Sequence, residues 1–315
     1  MSLSAATLTL DAPRRLRWDT VQLPRPAAGQ VRVQTLLSAV SVSSELSVIE
    51  GRTHLPLPRQ LGYQTLGTVT EAGTGVKILP GTRVVTTSGH VSAAVVNEAA
   101  CLPVPDHVPD RMALAAILGE ETHKGLRKVA PLPRERVLVA GAGLIGLLTI
   151  FNLVRHGVTQ VSVMEPDPAR QHLAQAFGAR VLHPADLQAQ AFEVGFECSA
   201  SPEGFRELLS RMRPGGRVCV LSDGNWGRLV LPPDFHSREL SVVASSDGED
   251  YHRYAGWLWK QSGTLLEQLY ASTVRPADLI AAFDSLQSVP RPVSLVVDWR
   301  HSGSSVLHSA HAAGV

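Results

Sequence analysis

The stretch Arg136-Val-Leu-Val-Ala-Gly-Ala-Gly-Leu-Ile-Gly146 decides the fold. Four residues suited to a buried strand, 137–140, run into a Gly-x-Gly-x-x-Gly pattern, and an apolar helical run at 144–154 follows. The first glycine permits a tight turn, the second lets the backbone approach a pyrophosphate, and the third lets the helix pack close to the strand. The free N–H groups and the dipole of the new helix favour phosphate charge. The pattern therefore predicts a dinucleotide cradle at Gly141, Gly143, Leu144, Ile145 and Gly146.

An acid follows the next predicted strand, Gln160–Met164, at Glu165. A carboxylate there accepts hydrogen bonds from both hydroxyls of an adenosine ribose and repels a 2′-phosphate, so it favours NAD over NADP. Arg170 is near enough to suit a phosphate instead, which leaves NADP open. The alternative is a glycine turn in an unrelated βαβ unit, with Glu165 a solvated loop acid.

Composition narrows the class of protein. A chain of 315 residues suggests about two domains, and 44 % apolar with 18 % charged residues suits a soluble protein with a sizeable core. A net charge of +1 creates no field that recruits nucleic acid or an anionic membrane, and 5 % aromatic residues argue against a base-stacking surface. No apolar run approaches the roughly 18 residues of a membrane span. We expect a small-molecule substrate and no nucleic-acid or membrane partner.

Cysteine usage indicates a reducing compartment. Cys101, Cys198 and Cys219 are few, widely spaced and odd in number, so they form neither a disulfide framework nor a CxxC zinc signature. Residues 1–11 alternate like a strand and lack the charged and apolar regions of a signal peptide. We therefore expect a cytoplasmic protein.

The position of the glycine pattern sets the domain organisation. Residues 1–126 consist mostly of short β-rich stretches between glycines and prolines, which predicts an all-β region with some irregular structure. From 137 to about 261 strands and helices alternate, which predicts a doubly wound parallel sheet. We expect a first domain of 1–127 completed by 263–300, a dinucleotide domain of 128–262, and a poorly ordered tail at 301–315.

This layout resembles the medium-chain dehydrogenase/reductase superfamily from about Leu8 to Trp299. The resemblance implies an α/β fold, with a Rossmann doubly wound parallel sheet plus a GroES-like β-rich catalytic domain, and a homodimer joined near 229–244. A finer resemblance is to hydroxyethyl-bacteriochlorophyllide dehydrogenases and related alcohol dehydrogenases. The superfamily markers are 61–69, 80–84, the Gly141 pattern, 165–170, 197–200 and 213–218, and the subgroup markers are 40–45, 88–90 and 234–240.

The zinc ligands of the superfamily are missing from this sequence. Zinc-dependent members carry a Cys in a Cys-Gly-Thr-Asp-like motif and a His-Glu pair after a glycine, and the matching positions hold Val42, Tyr63 and Gln64. Zinc needs thiolate, imidazole or carboxylate ligands. The third position falls near Glu120, and one carboxylate does not make a site. The four-cysteine structural lobe is also absent, so we predict neither a catalytic nor a structural zinc.

Other groups must then handle the substrate oxygen that zinc would polarise. Tyr63 is the first candidate, since a phenol hydrogen-bonds an oxyanion, but it also suits a packed residue that fills the vacated ligand space. Glu45 would relay a proton or pair with a nearby Arg. Ser44 would orient a substrate hydroxyl or bond local backbone. His90 belongs to the subgroup markers, and the sequence gives it no role.

The segment 119–124 supplies further candidates. By resemblance Thr122 contacts the nicotinamide ring, and Glu120 and His123 are acid/base candidates, although a His at a helix start is more often structural. Ser199 and Ser222 follow predicted strands, and ligands bind beyond the carboxyl ends of parallel strands, so both are candidate cofactor contacts. The alternative is that they are ordinary residues of strand-to-loop turns.

Three functions remain open. The first is a zinc-independent NAD(P)-dependent oxidoreductase that acts on an alcohol/carbonyl pair. The second is an enone or quinone reductase of the same superfamily. The third is a dinucleotide-binding protein that has lost catalysis, which the missing ligands favour and the intact glycine pattern disfavours.

Overall fold

The computed structural model describes residues 3–53, 55–183, 190–223, 227–261, 264–288 and 290–300. The chain forms one unit of Met1–Ala116 and Ala255–Val315 (unit 1) and a second of Ile117–Tyr254 (unit 2). The tail predicted at 301–315 lies outside the described residues.

The units divide about ten residues before the boundaries predicted at 127/128 and 262/263. The reason is that the helices Ala116–Val129 and Tyr251–Leu258, which connect the units along the chain, both bond to Asn152 of unit 2. Asn152 donates to the carbonyl of Gly119 and to the hydroxyl of Thr122, and it accepts from the Tyr254 hydroxyl. Most of the first helix and the first residues of the second, up to Tyr254, therefore belong to unit 2.

Among its described residues, the N-terminal part contains eight strands and two α-helices. A 3-10 turn, Glu98–Ala100, lies between the last two strands. The elements are β1 (Leu3–Ala12), β2 (Arg15–Leu23), β3 (Gln30–Val40), α1 (Val42–Ile49), β4 (Arg59–Gln60), β5 (Gln64–Ala72), β6 (Arg83–Thr86), β7 (Ala93–Asn97), β8 (Leu102–Val104) and α2 (Asp110–Leu114).

The middle part alternates helices and strands. Its elements are α3 (Ala116–Val129), β9 (Arg136–Ala140), α4 (Leu144–Arg155), β10 (Gln160–Met164), α5 (Pro168–Ala176), β11 (Arg180–Val181), β12 (Phe192–Glu197), α6 (Pro202–Arg211), β13 (Met212–Val220), β14 (Ser241–Ala244) and α7 (Tyr251–Leu258).

The C-terminal part begins with a 3-10 helix, Leu265–Tyr270, and a 3-10 turn, Pro276–Asp278, precedes its α-helix. The elements are β15 (Ser272–Val274), α8 (Leu279–Ser285) and β16 (Leu295–Asp298). Strand β16 pairs antiparallel with β3, with Leu295 opposite Val40, so this segment completes a sheet of unit 1.

Unit 1 is β-rich, and its main sheet runs β15-β16-β3-β5-β6-β8 with β7 paired to β3. A second sheet runs β2-β1-β4. Alternate side chains of β3 point inward, and Val31 and Val33 pack against Val69 and Val84. The prediction of an all-β region was wrong in one respect, because α1 and α2 lie within it. The apolar residues of α1, such as Val42 and Leu46, enter the core on one helix face.

Unit 2 confirms the predicted doubly wound parallel sheet. Its order is β11-β10-β9-β12-β13-β14, and the described pairings are all parallel. Leu138 of β9 and Phe205 of α6 belong to one buried cluster between the sheet and this helix, as expected of strands covered by helices. The chain winds one way from β9 to β10 and the other way to β12, and ligands bind at such a switch point.

Within the described residues, no helix combines the length and apolar character that a membrane crossing requires.

Candidate functional site

The glycine turn has the geometry of a phosphate cradle. Gly141 adopts φ +92°, and a Cβ built there would lie 2.7 Å from the Ser199 Cα. A Cβ on Gly146 would lie 2.0 Å from the Gly141 carbonyl oxygen, so α4 approaches the strand end as closely as the backbone allows. A Cβ on Gly143 would meet no atom within 4 Å, and no side chain caps α4 at this residue. The structure therefore leaves room for a ligand and uncapped N–H groups to bind it.

Glu165 is fastened to this turn. One oxygen accepts the Ala142 N–H at 2.7 Å, and the other accepts the Asp167 N–H at 2.9 Å. Each carboxylate oxygen has a further lone pair, so the group still has the capacity to accept two ribose hydroxyls. Arg170 follows closely on α5, where the Asp167 side chain accepts its backbone N–H.

Ser199 and Ser222 are joined by a buried acid that the sequence analysis did not identify as functional. Glu197, the last residue of β12, is fully buried. One of its oxygens accepts the Ser199 N–H and hydroxyl at 2.8 and 2.6 Å, and the other accepts the Ser222 hydroxyl. Glu197 therefore ties together the loops after β12 and β13, at the carboxyl edge of the sheet.

Glu120 is a paired structural acid in unit 2. Its fully buried carboxylate accepts from Arg127 at 2.8 and 3.2 Å, and from the Asp250 N–H at 3.0 Å. Burial alone would raise the pKa of Glu120, but hydrogen bonds from His123, Arg127 and two backbone N–H groups lower it to about 2. The carboxylate stays ionised and holds the start of α7, which does not suit an acid that exchanges protons near neutral pH.

Thr122 and His123 also have partners within unit 2. Thr122 is fully buried, and its hydroxyl donates to the Gly119 carbonyl at 2.9 Å while it accepts from Asn152. His123 donates from Nδ1 to Glu120 at 3.3 Å, and its ring stacks on that of His156 with the ring centroids 4.7 Å apart.

A second acid that sequence reasoning missed lies beside Glu120. Burial first, and then the negative charges of Asp247 and Asp223, together raise the pKa of Glu121 to about 8 against the opposing charge of Lys124. These two aspartates follow β14 and β13 at the carboxyl edge. Glu121 is therefore largely protonated at pH 7 on the side of the sheet where ligands bind. The sequence does not predict this raised pKa, because the two aspartates are distant from Glu121 along the chain and approach it only in the folded structure.

Comparisons with known proteins agree with this geometry. No family model matches the chain. It is 29 % identical over 297 residues to an L-threonine 3-dehydrogenase of Anaeromyxobacter sp. (strain K), covering 78 % of this chain and 83 % of that protein. It is 25 % identical over 326 residues to the 2-desacetyl-2-hydroxyethyl bacteriochlorophyllide A dehydrogenase of Cereibacter sphaeroides, covering 95 % and 99 %.

Solved structures share the fold. An E. coli CFT073 alcohol dehydrogenase complexed with NADH has a TM-score of 0.80 and 20 % identity, over 94 % of this chain and 99 % of that one. A zinc-binding dehydrogenase of Sinorhizobium meliloti 1021 bound to NADP has the same TM-score and coverage at 18 % identity. The chain is similar in sequence to these dehydrogenases and shares the fold of the medium-chain dehydrogenase/reductase superfamily. It is an NAD(P)-dependent oxidoreductase.

In this dehydrogenase, the residues at the zinc-ligand positions do not fit the metal. Val42 packs in the apolar core of unit 1 with Leu46 and Phe283. Gln64 is fully buried, and its amide oxygen accepts the hydroxyl of the buried Tyr270 at 3.2 Å. Tyr63 is half-buried between Gly62 and the first residue of β5. An apolar side chain and an engaged amide offer no ligand of the kind that zinc prefers.

The two α1 candidates of this dehydrogenase lie side by side. Ser44 is half-buried, and its hydroxyl accepts from that of Ser41 at 3.1 Å. Glu45 accepts the Ser41 N–H at 2.9 Å and binds His90 Nε2 at 3.0 Å. The carboxylate thus pairs with a histidine rather than with the expected Arg.

The Glu120 pair generates a prediction about stability. Glu120→Gln lowers the free energy of unfolding at pH 7 by about 2–3 kcal/mol, below the range for fully buried pairs because Arg127 is partly exposed. The folded pKa lies below the unfolded one, so this stabilisation is present above about pH 4.5 and is lost as the pH falls towards 2. Urea titrations from pH 7 to pH 3 check it.

The control for this prediction is Glu203→Gln, on the exposed start of α6. A Glu120→Gln deficit that stays constant down to pH 3, or one matched by the control, contradicts the assignment of Glu120 as an ionised buried partner.

Proposed function

We propose that this protein transfers hydride between NAD and an alcohol/carbonyl substrate without zinc. The observation that carries the proposal is a contrast between the units. The glycine turn of unit 2 is open for a dinucleotide at Gly143, whereas the zinc-ligand positions of unit 1 are occupied by Val42 in the core and by the bonded pair Gln64–Tyr270.

The residues of unit 2 suit the cofactor. The N–H groups at the start of α4, from Leu144 to Gly146, would receive the pyrophosphate, and Glu165 would receive the ribose. Glu197 holds Ser199 and Ser222 at the carboxyl edge, where they would contact the nicotinamide half. When bound, the nicotinamide supplies the hydride chemistry. Similar folds bind NADH or NADP, and Glu165 favours NAD here.

Protein donors would replace the Lewis acid. We propose Tyr63 as the main hydrogen-bond donor to the substrate oxygen and Ser44 as a secondary group that orients it. A phenol supports an alkoxide less strongly than zinc does, so substrates whose carbonyl is already activated are favoured. Enones and quinones accept hydride without a metal, so an enone or quinone reductase is the second candidate function. The third is a dinucleotide-binding protein that has lost catalysis, which the missing zinc ligands favour.

A homodimer is part of the proposal. The exposed apolar residues Leu229, Val230 and Leu231 precede β14, the edge strand of the parallel sheet, and Val243 on that strand is also exposed. An apolar sheet edge of this kind favours pairing with a second copy.

We also propose a cytoplasmic location. Cys101, Cys198 and Cys219 are all free thiols buried in the structure. Burial raises the pKa of Cys101 and Cys219 to about 11, so these thiols are unreactive and suit a reducing compartment.

Turnover tests the proposed activity. We expect oxidation of NADH with ketones, or reduction of NAD with L-threonine, 2,3-butanediol or 1-phenylethanol, in buffer that contains a chelator. Tyr63→Phe should lower kcat by about 10²–10³-fold, because it removes a donor to the developing oxyanion. Tyr251→Phe, which removes a hydroxyl bonded to the Gly248 N–H, is the matched control. Tight NADH binding without turnover on this panel would support the lapsed protein, and turnover of enones alone would support the reductase.

Glu165 generates the prediction about cofactor choice. Glu165→Ala should weaken NAD binding by about 10- to 100-fold, the worth of hydrogen bonds to a charged group, and leave NADP binding unchanged or improved. Calorimetric titration of both cofactors measures the ratio, with Glu203→Ala as an exposed control. An equal loss for NAD and NADP would show that Glu165 does not select between them.

A further inference from the structure

A buried chain of hydrogen bonds in unit 1 has its centre at His90, a residue with no exposed surface. Nε2 lies 3.0 Å from Glu45 Oε2, and Nδ1 lies 2.8 Å from Ser38 Oγ. The Trp299 indole donates to the same Ser38 oxygen at 3.0 Å. The four side chains are each at least nine-tenths buried, so their mutual bonds are costly to break.

The donor directions follow from the chemistry of the end group. An indole N–H only donates, so Ser38 Oγ accepts it and also shares a hydrogen bond with His90 Nδ1. A carboxylate only accepts, so Nε2 carries a ring hydrogen and donates it to Glu45. The other oxygen of Glu45 accepts the Ser41 N–H at the start of α1. Each of these buried polar groups has a partner, and the chain of bonds links Trp299, just after β16, through Ser38 of β3 to α1.

The backbone of His90 extends the same connection. Its N–H donates to the Leu61 carbonyl at 2.9 Å, and its carbonyl accepts the Leu8 N–H at 3.0 Å. The imidazole also lies directly on Gly62. A Cβ built on Gly62 would lie 2.8 Å from His90 Cδ2, so the ring occupies the space that a side chain at 62 would take.

One imidazole therefore touches the sequence neighbours of both proposed donors. Glu45 follows Ser44 in α1, and Gly62 precedes Tyr63. The ring hydrogen-bonds Glu45 and fills the space beside Gly62 that a Cβ would take. A shift of the ring moves the segments on which both donors are mounted.

We infer that His90 is the positioning residue of the substrate site, which fixes Ser44 through Glu45 and Tyr63 through Gly62. The inference rests on the proposed function, since it assigns His90 a role towards the donors named there. It also gives Glu45 a different role from proton transfer. The chain from Glu45 ends at the Trp299 indole, a group that accepts no proton, so it conducts none.

The experiment uses the full-length protein labelled with 3-fluorotyrosine. The chain has four tyrosines, and Tyr63→Phe assigns the Tyr63 fluorine resonance. His90→Phe keeps a ring and removes both hydrogen bonds, and His90→Gln keeps a donor towards Glu45. Asp110→Asn is the matched control, because it breaks a half-buried ion pair with Arg83 in the same unit at 2.5 Å.

We expect His90→Phe to shift the Tyr63 resonance and to lower kcat about 10²-fold, the cost of a misplacement of about 1 Å, with NADH affinity within twofold of the wild type. His90→Gln should recover part of both effects. Glu45→Gln combined with His90→Phe should lose no more than His90→Phe alone, because the two residues act as one unit.

Three outcomes decide the inference. An unmoved Tyr63 resonance with unchanged kcat in both His90 variants overturns it. A lowered unfolding midpoint with the same small spectral change as Asp110→Asn shows a merely structural role, and also overturns it. If the wild type turns over no substrate, the proposed function fails, and the fluorine shift alone still decides whether His90 positions Tyr63.

Discussion

The nucleotide-binding half of this dehydrogenase depends on the close approach of α4 to the end of β9. That approach exists only because Gly146 has no side chain to meet the Gly141 carbonyl, 2.0 Å from where a Cβ would be. It places the first N–H groups of α4 beside the turn, and Glu165 binds the Ala142 N–H within the same turn. The glycine turn and Glu165, which we propose as the phosphate cradle and the ribose acceptor, are therefore held together, and Glu197 holds the neighbouring loops.

In unit 1, Val42, Tyr63 and Gln64 stand where zinc-dependent members of the superfamily keep metal ligands. Hydrogen bonds between buried side chains hold the neighbouring segments of this unit together. Gln64 binds Tyr270. His90 binds Glu45 and Ser38. Such networks stabilise a fold only when each polar group has a partner, since an unpaired one in a low dielectric is costly.

The parallel sheet was predictable, whereas the partners of the candidate side chains were not. Gln160–Met164 was predicted with its observed bounds, because a buried parallel strand is a short apolar run between turn residues. Helix α1 was missed, since its serines and β-branched residues do not favour a helix. The bond from Glu45 to His90 spans 45 residues, and the raised pKa of Glu121 depends on Asp223 and Asp247. Neither contact can be predicted from a local sequence pattern, because the partners are far apart along the chain.

The central claim is that this dehydrogenase works without zinc, and the metal content of active protein tests it most directly. Protein purified without chelator should contain far less than one zinc per chain by elemental analysis, and its turnover of the best substrate should not change after dialysis against a chelator. One zinc per chain, lost together with activity on dialysis and restored with it on adding zinc, would contradict the account.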